Sequence, residues 1–363
     1  MEVKRSVKLV ETLRRVAPGT GLREGLDRIL QAHMGALVLI GDGPDVLSIC
    51  SGGFLIDSEF SPQRIYELAK MDGAIVLSSD GARIARANVH LVPDSSVATS
   101  ETGTRHRTAE RVARSISVPV LAISEELSVV SVYRGGFKHQ LRSVPSIIDR
   151  AHQALSTLER YKERLDGVLG NLDRLEVSHE ARFKDVALVL QRGELVRRIS
   201  EEIAWYLLEL GSEGRLLALQ LDELYIDFEG DYLSVIQDFL EISTKEQASE
   251  LVSYLASVPM EDLLDLSSIA NGIREHSCCS GLSDFTGASP LEVSMASRGS
   301  RLISSVPQIP NEVRFALLDT FGGLKPIVEA TAEQLAEVDG VGTRWARAVK
   351  EHLSQTDGKI IEV

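Results

Sequence analysis

The sequence has few residues that could form disulfide bonds or a thiolate metal site. Its three cysteines are Cys50 and the adjacent pair Cys278 and Cys279. That number and spacing give neither a disulfide framework nor the ligand pattern of a structural zinc site. The cysteines are therefore expected to be small buried hydrophobic residues.

Long apolar runs are also missing. No stretch approaches the roughly 20 apolar residues that a membrane-spanning helix needs. The first 16 residues, MEVKRSVKLVETLRRV, mix charged and apolar side chains instead of forming the apolar core of a signal peptide. We therefore expect a cytoplasmic protein with no membrane partner.

The chain lacks an excess of positive charge. It has 53 acidic and 39 basic residues, and its formal net charge is -14. A protein this acidic is not expected to bind nucleic acid over most of its surface, so any DNA contact should come from a small local surface. What the chain does have is 44% apolar and 25% charged residues over 363 positions, enough for two or three globular domains.

The secondary-structure pattern predicted from the sequence changes twice, which indicates three structural regions. Between Gly35 and Val144, short β-rich runs alternate with helical segments, as in an α/β domain around a mixed sheet. From Pro145 to Gly299 the strand signals nearly vanish, and beyond Arg301 short helices alternate with turns. The predicted regions are a helical lead-in and α/β domain at 1–144, an all-α linker at 145–299, an all-α domain at 300–355 and a tail at 356–363.

Six runs in the first region are predicted strands: GALVLIG, VLSICSGGFLI, GAIVLSS, RIARANVHLV, PVLAI and LSVVSVY. Two segments are predicted helices, SPQRIYELAKM and TRHRTAERVARSI. Ser61 followed by Pro62 suits a helix start, because Ser caps free amides and Pro needs no donor at the first helical position. In the linker, a leucine stripe predicts one long helix: Leu155, Leu158, Leu165, Leu169, Leu172 and Leu175.

The segment GTRHRTAERV concentrates positive charge at a predicted helix start. A glycine is followed by a hydroxyl side chain and three consecutive basic side chains: Gly103, Thr104, Arg105, His106 and Arg107. Helix amides, the helix dipole and guanidinium groups all favour an anion, so a polyphosphate is expected there. A solvated arginine face is the alternative. The chain has no Walker glycine-lysine loop and no Rossmann glycine pattern, which disfavours the common nucleotide-binding folds.

Three short motifs resemble the diadenylate cyclase family, in order, spacing and flanking strands. They are Asp72-Gly73-Ala74, the Gly103–Arg107 run, and Ser124-Glu125-Glu126 after PVLAI. Taken alone, Asp72-Gly73 is a common turn. The resemblance covers about Gly35 to Tyr133. It implies that two ATP-bound domains face each other, each 3′-hydroxyl attacking the other nucleotide's α-phosphate to give cyclic di-AMP and pyrophosphate.

The resemblance also implies a role for each motif residue. Asp72 helps activate the 3′-hydroxyl, as a ligand of Mg²⁺ or Mn²⁺ or as a base, Gly73 lets the nucleotide approach, and Leu91 packs on adenine. The phosphates are held by the second motif and its neighbours: Gly103, Thr104, Arg105, His106, Arg107, Thr108 and Ser124. The residues expected to be catalytic are Asp72, Arg105, His106 and Arg107. Glu125 and Glu126 are either metal contacts or part of a solvated turn.

The C-terminal segment TAEQLAEVDGVGTRWARAVKEHL resembles the helix-hairpin-helix family. Thr331 and Gln334 are spaced as a capping box, and the second helix is expected to start near Thr343. The family resemblance implies that hairpin amides bind a DNA phosphate without reading sequence. The implied DNA-binding residues are Gly340, Val341, Gly342, Thr343, Arg344 and Arg347, with Lys350 in reach of a neighbouring phosphate. A bare αα-hairpin is the alternative.

The segment before it looks like a first copy of the same hairpin. Pro307-Gln308-Ile309-Pro310 occupies the place of the glycine turn. Because the glycines are missing, this copy is expected to serve mainly in packing.

Together these parts resemble a DNA-binding diadenylate cyclase whose activity falls on branched DNA such as Holliday junctions. Facing active sites require at least a dimer, and the resemblance implies an octamer that joins the nucleoid when on DNA. One alternative is a non-enzymatic DNA-junction binding protein whose α/β domain senses ATP or a cyclic dinucleotide. Another is a DNA repair nuclease subunit. The complete pair of signature motifs favours the cyclase.

Overall fold

A computed structural model describes residues 7–226, 228–240, 242, 244–276 and 290–358. The chain divides into two compact units, Met1–Ala154 with Ile203–Gln220, and Leu155–Glu202 with Leu221–Val363. None of the helices described is long and apolar enough to cross a membrane. The predicted burial of Cys278 and Cys279 and the end of the predicted tail, 359–363, lie outside the described residues.

The first unit combines a sheet with flanking helices. Its strands are β1 (Ala36–Ile40), β2 (Cys50–Ser51), β3 (Phe54–Glu59), β4 (Ala74–Leu77), β5 (Arg83–Leu91), β6 (Val120–Ser124), β7 (Val129–Arg134) and β8 (Phe137–Leu141). Its helices are α1 (Val7–Arg15), α2 (Gly21–Gln31), α3 (Pro44–Ser48), α4 (Pro62–Leu68) and α5 (Thr104–Ile116). Helices α6 (Val144–Val177), α7 (Phe183–Leu210) and α8 (Arg215–Tyr225) contribute residues to both units.

The eight strands form one mixed sheet, which confirms the predicted fold class. The strand order is β2-β5-β4-β1-β6-β7-β8, and β3 also pairs with β5. Strands β1 and β4 are parallel, with Val38 opposite Ile75, and the other pairs are antiparallel. As a result β1 and β4 begin at the same edge at which β5 and β6 end.

Both faces of this sheet are covered, because successive side chains of a strand point to opposite faces. Val38 and Ile40 of β1 pack in a core with residues of α1, α2 and α4. Leu37 and Leu39 pack on the other face with Ala109 and other residues of α5. Such two-sided burial explains the nearly continuous apolar runs of β1 and β4.

The predicted strand VLSICSGGFLI is wrong in part. Pro44 opens the short helix α3, which ends at Ser48, and two strands follow. Gly52 and Gly53 separate these strands with φ of 65° and 80°, values that favour glycine. Strand β8 was not predicted, because Lys138, His139 and Gln140 are three consecutive polar residues and leave no apolar run or alternation. Cys50 is half-buried, and its thiol donates a hydrogen bond to the Val46 carbonyl.

The second unit is helical in its described part, as predicted for the linker and the C-terminal region. After α8 come α9 (Phe228–Phe239), α10 (Lys245–Ser257), α11 (Met260–Leu264), α12 (Leu266–Glu275), α13 (Ser300–Ser304), α14 (Asn311–Phe321), α15 (Leu324–Glu329), α16 (Ala332–Ala336) and α17 (Gly342–Gly358). The predicted leucine stripe lies on α6, where Leu155, Leu158, Leu165 and Leu172 are buried. Helix α17 continues through Gly358, so the first residues of the predicted tail are helical.

A buried ionic cluster joins α13 to α6 and α9. Arg301 pairs with Asp173 and, at 2.7 Å, with Glu176 of α6. Its backbone N–H donates to Asp238 of α9 at 2.7 Å. Burial raises the pKa of Glu176 to about 7, although Arg301 and Ser297 oppose this shift.

Candidate active site and nucleic-acid interface

An open pocket of about 470 Å³ lies at the sheet edge where β1 and β4 begin and β5 and β6 end. Its volume is in the range of small-molecule sites. It brings together residues expected to bind ATP from four separate segments: Gly73, Leu91, Gly103, Thr104, Arg105, His106, Thr108 and Ser124. Glu125 and Glu126 also line it.

Two expected catalytic residues do not line this pocket. Asp72 is exposed and directly precedes Gly73, and Arg107 is exposed in the first turn of α5. Both side chains are therefore open to groups that lie outside the pocket.

The N-terminus of α5 is suited to an anion. Gly103 is its N-cap residue in an extended conformation, and no side chain caps the helix. The amides of the first turn therefore keep unused donors directed towards the pocket end of the helix. The predicted helix start at Thr104 is confirmed.

Arg105 lies against the backbone of Gly35, a contact that sequence reasoning missed. A Cβ atom added to Gly35 would stand 2.2 Å from Arg105 Nη1. A side chain at position 35 would therefore displace the guanidinium group. No local signal marks Gly35, because its neighbour is 70 residues away in sequence.

Gly73 is required by strand packing as well as by access to the pocket. Its φ is +97°, and a Cβ atom there would lie 2.9 Å from the carbonyl carbon of Asn88 in β5. The backbones of the Asp72-Gly73 turn and β5 thus approach more closely than any side chain permits.

The loop before α5 is tied to the helix by Glu110. The Glu110 carboxylate accepts hydrogen bonds from the Thr99 hydroxyl and the Ser100 amide, and it pairs with Arg114 at 2.6 Å. Burial raises the pKa of Glu110, but these partners outweigh burial and hold it below its ordinary value. The segment leading to Gly103 is therefore held against helix α5.

His106 is held by Tyr133, which sequence reasoning also missed as a site residue. His106 Nδ1 lies 2.8 Å from the Tyr133 hydroxyl oxygen, and the two rings meet edge to face. Burial lowers the pKa of His106. The imidazole is therefore mainly neutral at pH 7, unlike the cationic arginines on either side of it.

The acidic residues near the pocket do not form a protein-only metal cage. Among the residues that the structure describes, no group of three or more His, Cys, Asp and Glu side chains is placed to hold a metal ion. Magnesium is commonly held by one or two carboxylates together with substrate phosphates. The donor chemistry of Asp72, with Glu125 and Glu126 in the pocket wall, fits such a shared site.

The C-terminal hairpin has the conformation expected from its sequence. Thr331 and Gln334 form the predicted capping box. Gly340 and Gly342 have φ of 84° and 63°, and no atom lies within 4 Å of an added Cβ at either position. Val341 is 3% exposed, so its side chain packs in the core and only its backbone is open to a ligand.

The cations of α17 differ in accessibility. Arg344 and Arg347 are exposed, and Arg344 stacks over the Trp345 ring at 4.9 Å. Lys350 instead donates to the Val328 carbonyl at 2.7 Å, which occupies it in packing rather than at a DNA phosphate. In the first hairpin copy, Gln308 takes the left-handed conformation with φ of 59° in the absence of a glycine.

Two family models match the chain. The model described as DisA bacterial checkpoint controller nucleotide-binding matches residues 23–137, and the DisA bacterial checkpoint controller linker region matches residues 141–276. The DNA integrity scanning protein DisA of Parafrankia sp. is 46% identical over 97% of this chain and 96% of its own. That of Kineococcus radiotolerans is 46% identical over 98% of this chain and 97% of its own. Among solved structures, DacA from Staphylococcus aureus is 24% identical, covers 37% of this chain and 88% of its own, and has a TM-score of 0.29.

Proposed function

The chain belongs to the DisA family of DNA integrity scanning proteins, and on that premise we propose that it is a diadenylate cyclase regulated by DNA. It condenses two ATP molecules into cyclic di-AMP and two pyrophosphates. Branched DNA such as a Holliday junction binds the C-terminal hairpin and lowers this activity.

One observation carries the cyclase assignment. The pocket collects residues of both signature motifs at one sheet edge, with Gly73 from the first and the uncapped N-terminus of α5 from the second. Apolar Leu37, Val89 and Leu91 line the same pocket. It thus offers an apolar surface for a base and donors for phosphates, which is the combination a nucleoside triphosphate needs.

In the proposed reaction the residues of this chain act mainly by positioning and by neutralising charge. The first-turn amides of α5, Arg105 and the hydroxyls of Thr104 and Thr108 hold the phosphates. Arg107, exposed beside the pocket, neutralises charge that develops on the transferred group. Ser124 reaches the phosphates from β6, and its hydroxyl already accepts a hydrogen bond from the Leu127 amide.

A divalent cation, Mg²⁺ or Mn²⁺, fits this arrangement as a bound cofactor. Asp72 would hold it together with the ATP phosphates, and Glu125 or Glu126 could complete the set. When bound, the cation lowers the charge on the phosphates and the basicity of the attacking oxygen. The chain's own residues then orient the nucleotide.

The chemistry requires two copies of the chain. Each nucleotide supplies a 3′-hydroxyl to the other, so two pockets must face each other, and we propose a homo-octamer built from such pairs. The assembly acts in the cytoplasm and joins the nucleoid when it is on DNA.

The DNA-binding proposal rests on the hairpin. Gly340 and Gly342 leave its backbone open to a phosphate, and Arg344 and Arg347 lie exposed on the helix that follows. Contacts of this kind hold the DNA backbone and do not read bases. A free hairpin on a mostly acidic chain favours branched DNA, where phosphates converge on a small surface.

Incubation of the purified protein with ATP and Mn²⁺, followed by chromatography, tests the cyclase. We expect cyclic di-AMP and pyrophosphate in a ratio of one to two. Intact ATP with tight nucleotide binding would instead favour a non-enzymatic sensor, and cleaved DNA would favour a nuclease subunit.

A further inference from the structure

His106 is held through its Nδ1 atom by a positioning chain of three polar side chains, each in contact with the next. Its Nδ1 lies 2.8 Å from the hydroxyl oxygen of Tyr133, which is 1% exposed. A hydrogen bond between the Tyr133 hydroxyl and the Glu101 carboxylate is one of the causes that raise the pKa of Tyr133, and a hydrogen bond with Ser131 opposes it. Glu101 Oε1 lies 2.6 Å from Lys138 Nζ on β8. The positioning chain therefore runs from His106 through Tyr133 and Glu101 to Lys138.

The order of these groups decides where each proton lies. The Lys138 ammonium only donates, and the Glu101 carboxylate paired with it only accepts. Tyr133 has one hydroxyl proton, which it donates to Glu101, so its oxygen accepts a hydrogen bond from His106 Nδ1–H. A neutral imidazole carries a single N–H. Nε2, the ring nitrogen left for the pocket, is therefore an unprotonated acceptor.

The electrostatic surroundings favour the same protonation states. Burial lowers the pKa of His106, and Lys138 and Arg105 act in the same direction while Glu101 opposes them. Burial also raises the pKa of Tyr133, and the charge of Glu101 adds to that shift. The remaining titratable groups of the pocket wall are His90, Glu125 and Glu126. At neutral pH the imidazole is mainly uncharged and the phenol keeps its proton.

An unprotonated Nε2 suits a different part of ATP from the phosphates. Ionised phosphate oxygens are acceptors and need donors, such as the amides and arginine of the same pocket. The donors on ATP are the ribose hydroxyls and the adenine amino group. Of these, only the 3′-hydroxyl must lose its proton in the proposed reaction.

We propose that His106 Nε2 accepts the proton of the attacking 3′-hydroxyl, and that Tyr133, Glu101 and Lys138 are positioning residues that fix its tautomer. The O3′–H bond breaks and the proton passes to Nε2 while O3′ bonds to the α-phosphorus. The bond from that phosphorus to pyrophosphate breaks, and its electron pair leaves on pyrophosphate. This proposal rests on the cyclase function above, and it replaces the expectation that His106 holds phosphates. A base oriented by a second side chain is a recurrent device for activating a hydroxyl.

Tyr133→Phe tests the positioning chain, because it removes the hydroxyl and keeps the buried ring. Without its partner the imidazole can adopt the other tautomer, so kcat for cyclic di-AMP synthesis should fall about tenfold or more. The KM for ATP should stay within about twofold, since phosphate contacts are untouched. In the parent, kcat/KM should fall as the pH drops below 6.5, the ordinary pKa of His106, because protonation removes the acceptor. His106→Gln should remove both most of the activity and this acid limb.

Tyr232→Phe is the matched control. Tyr232 is also a buried tyrosine, and its hydroxyl donates to the Leu190 carbonyl at 3.1 Å, away from the pocket. This variant should keep the parental kcat and KM. If Tyr133→Phe does not fold, Glu101→Gln decides the question, because its part-exposed side chain tolerates the change. We expect the same loss of kcat from it.

Three results would each contradict a different part of the proposal. Parental kcat and pH profile in folded Tyr133→Phe or Glu101→Gln would overturn the positioning chain. Activity that rises as the pH drops below 6.5 would overturn the acceptor role and return His106 to the phosphates. A parent that makes no cyclic di-AMP would overturn the proposed function itself.

Discussion

At the scale of single residues, Asp72 is the carboxylate on which the proposed chemistry most depends. Asp72→Asn keeps the size of the side chain and removes its charge. We expect kcat for cyclic di-AMP to fall roughly 100-fold or more, while assembly and ATP binding persist, because the change affects activation and adds no bulk. Product formation and equilibrium nucleotide binding, measured on one preparation, check this expectation. Near-parental synthesis would remove Asp72 from its role.

Gly35 provides a second test, one that only the structure suggests. Gly35→Ala places a methyl group 2.2 Å from Arg105 Nη1, and the flexible guanidinium must move away from its present position. We expect ATP affinity to fall about tenfold, in line with the loss of one charge-assisted hydrogen bond, with little change in melting temperature. Gly136→Ala is the control, because no atom lies within 4 Å of its added Cβ. Equal affinities of the two variants would mean that Arg105 does not bind ATP from this position.

These residues show how far the sequence predicts the site. The two motifs, the N-terminus of α5 and Ser124 could be found because each has a local pattern. Gly35 and Tyr133 could not, because they matter through contacts with distant parts of the chain. Tyr133 looks like any core residue of a strand, and only the fold places its hydroxyl against His106.

At the scale of elements, strands with apolar runs and helices with caps could be predicted. Elements whose local sequence is not typical of their structure could not. The capping box at Thr331 and the Ser61 cap both form as expected. The short helix α3 overlaps an apolar run that predicts a strand, and β8 has three consecutive polar residues. Pairing with β7 forms β8, whereas Pro44 opens α3 at the start of the helix.

The ionic cluster between α6, α9 and α13 predicts a pH-dependent stability for the second unit. Glu176 has a folded pKa of about 7, above that of the unfolded chain, so the folded state binds its proton more tightly. The stability that this proton binding contributes is fully present below the ordinary pKa of Glu and is lost as the pH rises through about 7. We expect the free energy of unfolding to fall by on the order of 1–3 kcal/mol between pH 5 and 8.

Glu176→Gln isolates this contribution. Burial also raises the pKa of Asp238, so the variant should show a smaller slope of stability against pH, with the same sign. Thermal unfolding at several pH values measures both slopes. An unchanged slope in the variant would assign the pH dependence to other groups.

At the scale of the whole molecule, the acidic composition limits how DNA can bind. Residues 300–355 contain six Lys and Arg against seven Asp and Glu. Of the six, Arg301 is buried in ion pairs and Lys350 is held by a carbonyl. Arg344 and Arg347 are the exposed cations next to the hairpin turn, and the other two, Arg314 and Lys325, lie on α14 and α15.

This charge distribution predicts a weak dependence of DNA affinity on salt. With two arginine contacts per hairpin, the slope of log affinity against log salt should be about -2. Titration of a single junction at several salt concentrations gives the slope per bound hairpin. A slope several times steeper would show that cations elsewhere on the chain bind the DNA.

The coupling of the two ends of the chain is the central claim, and one measurement tests it directly. The rate of cyclic di-AMP synthesis is measured with no DNA, with linear duplex, and with a Holliday junction of the same total length. A variant with Gly340→Val and Gly342→Val serves as the comparison, since bulky residues at positive φ block close approach to a phosphate. We predict that the junction lowers the parental rate more than duplex does, and that the variant keeps its DNA-free rate and loses the response. Equal inhibition of parent and variant by the junction would contradict the account.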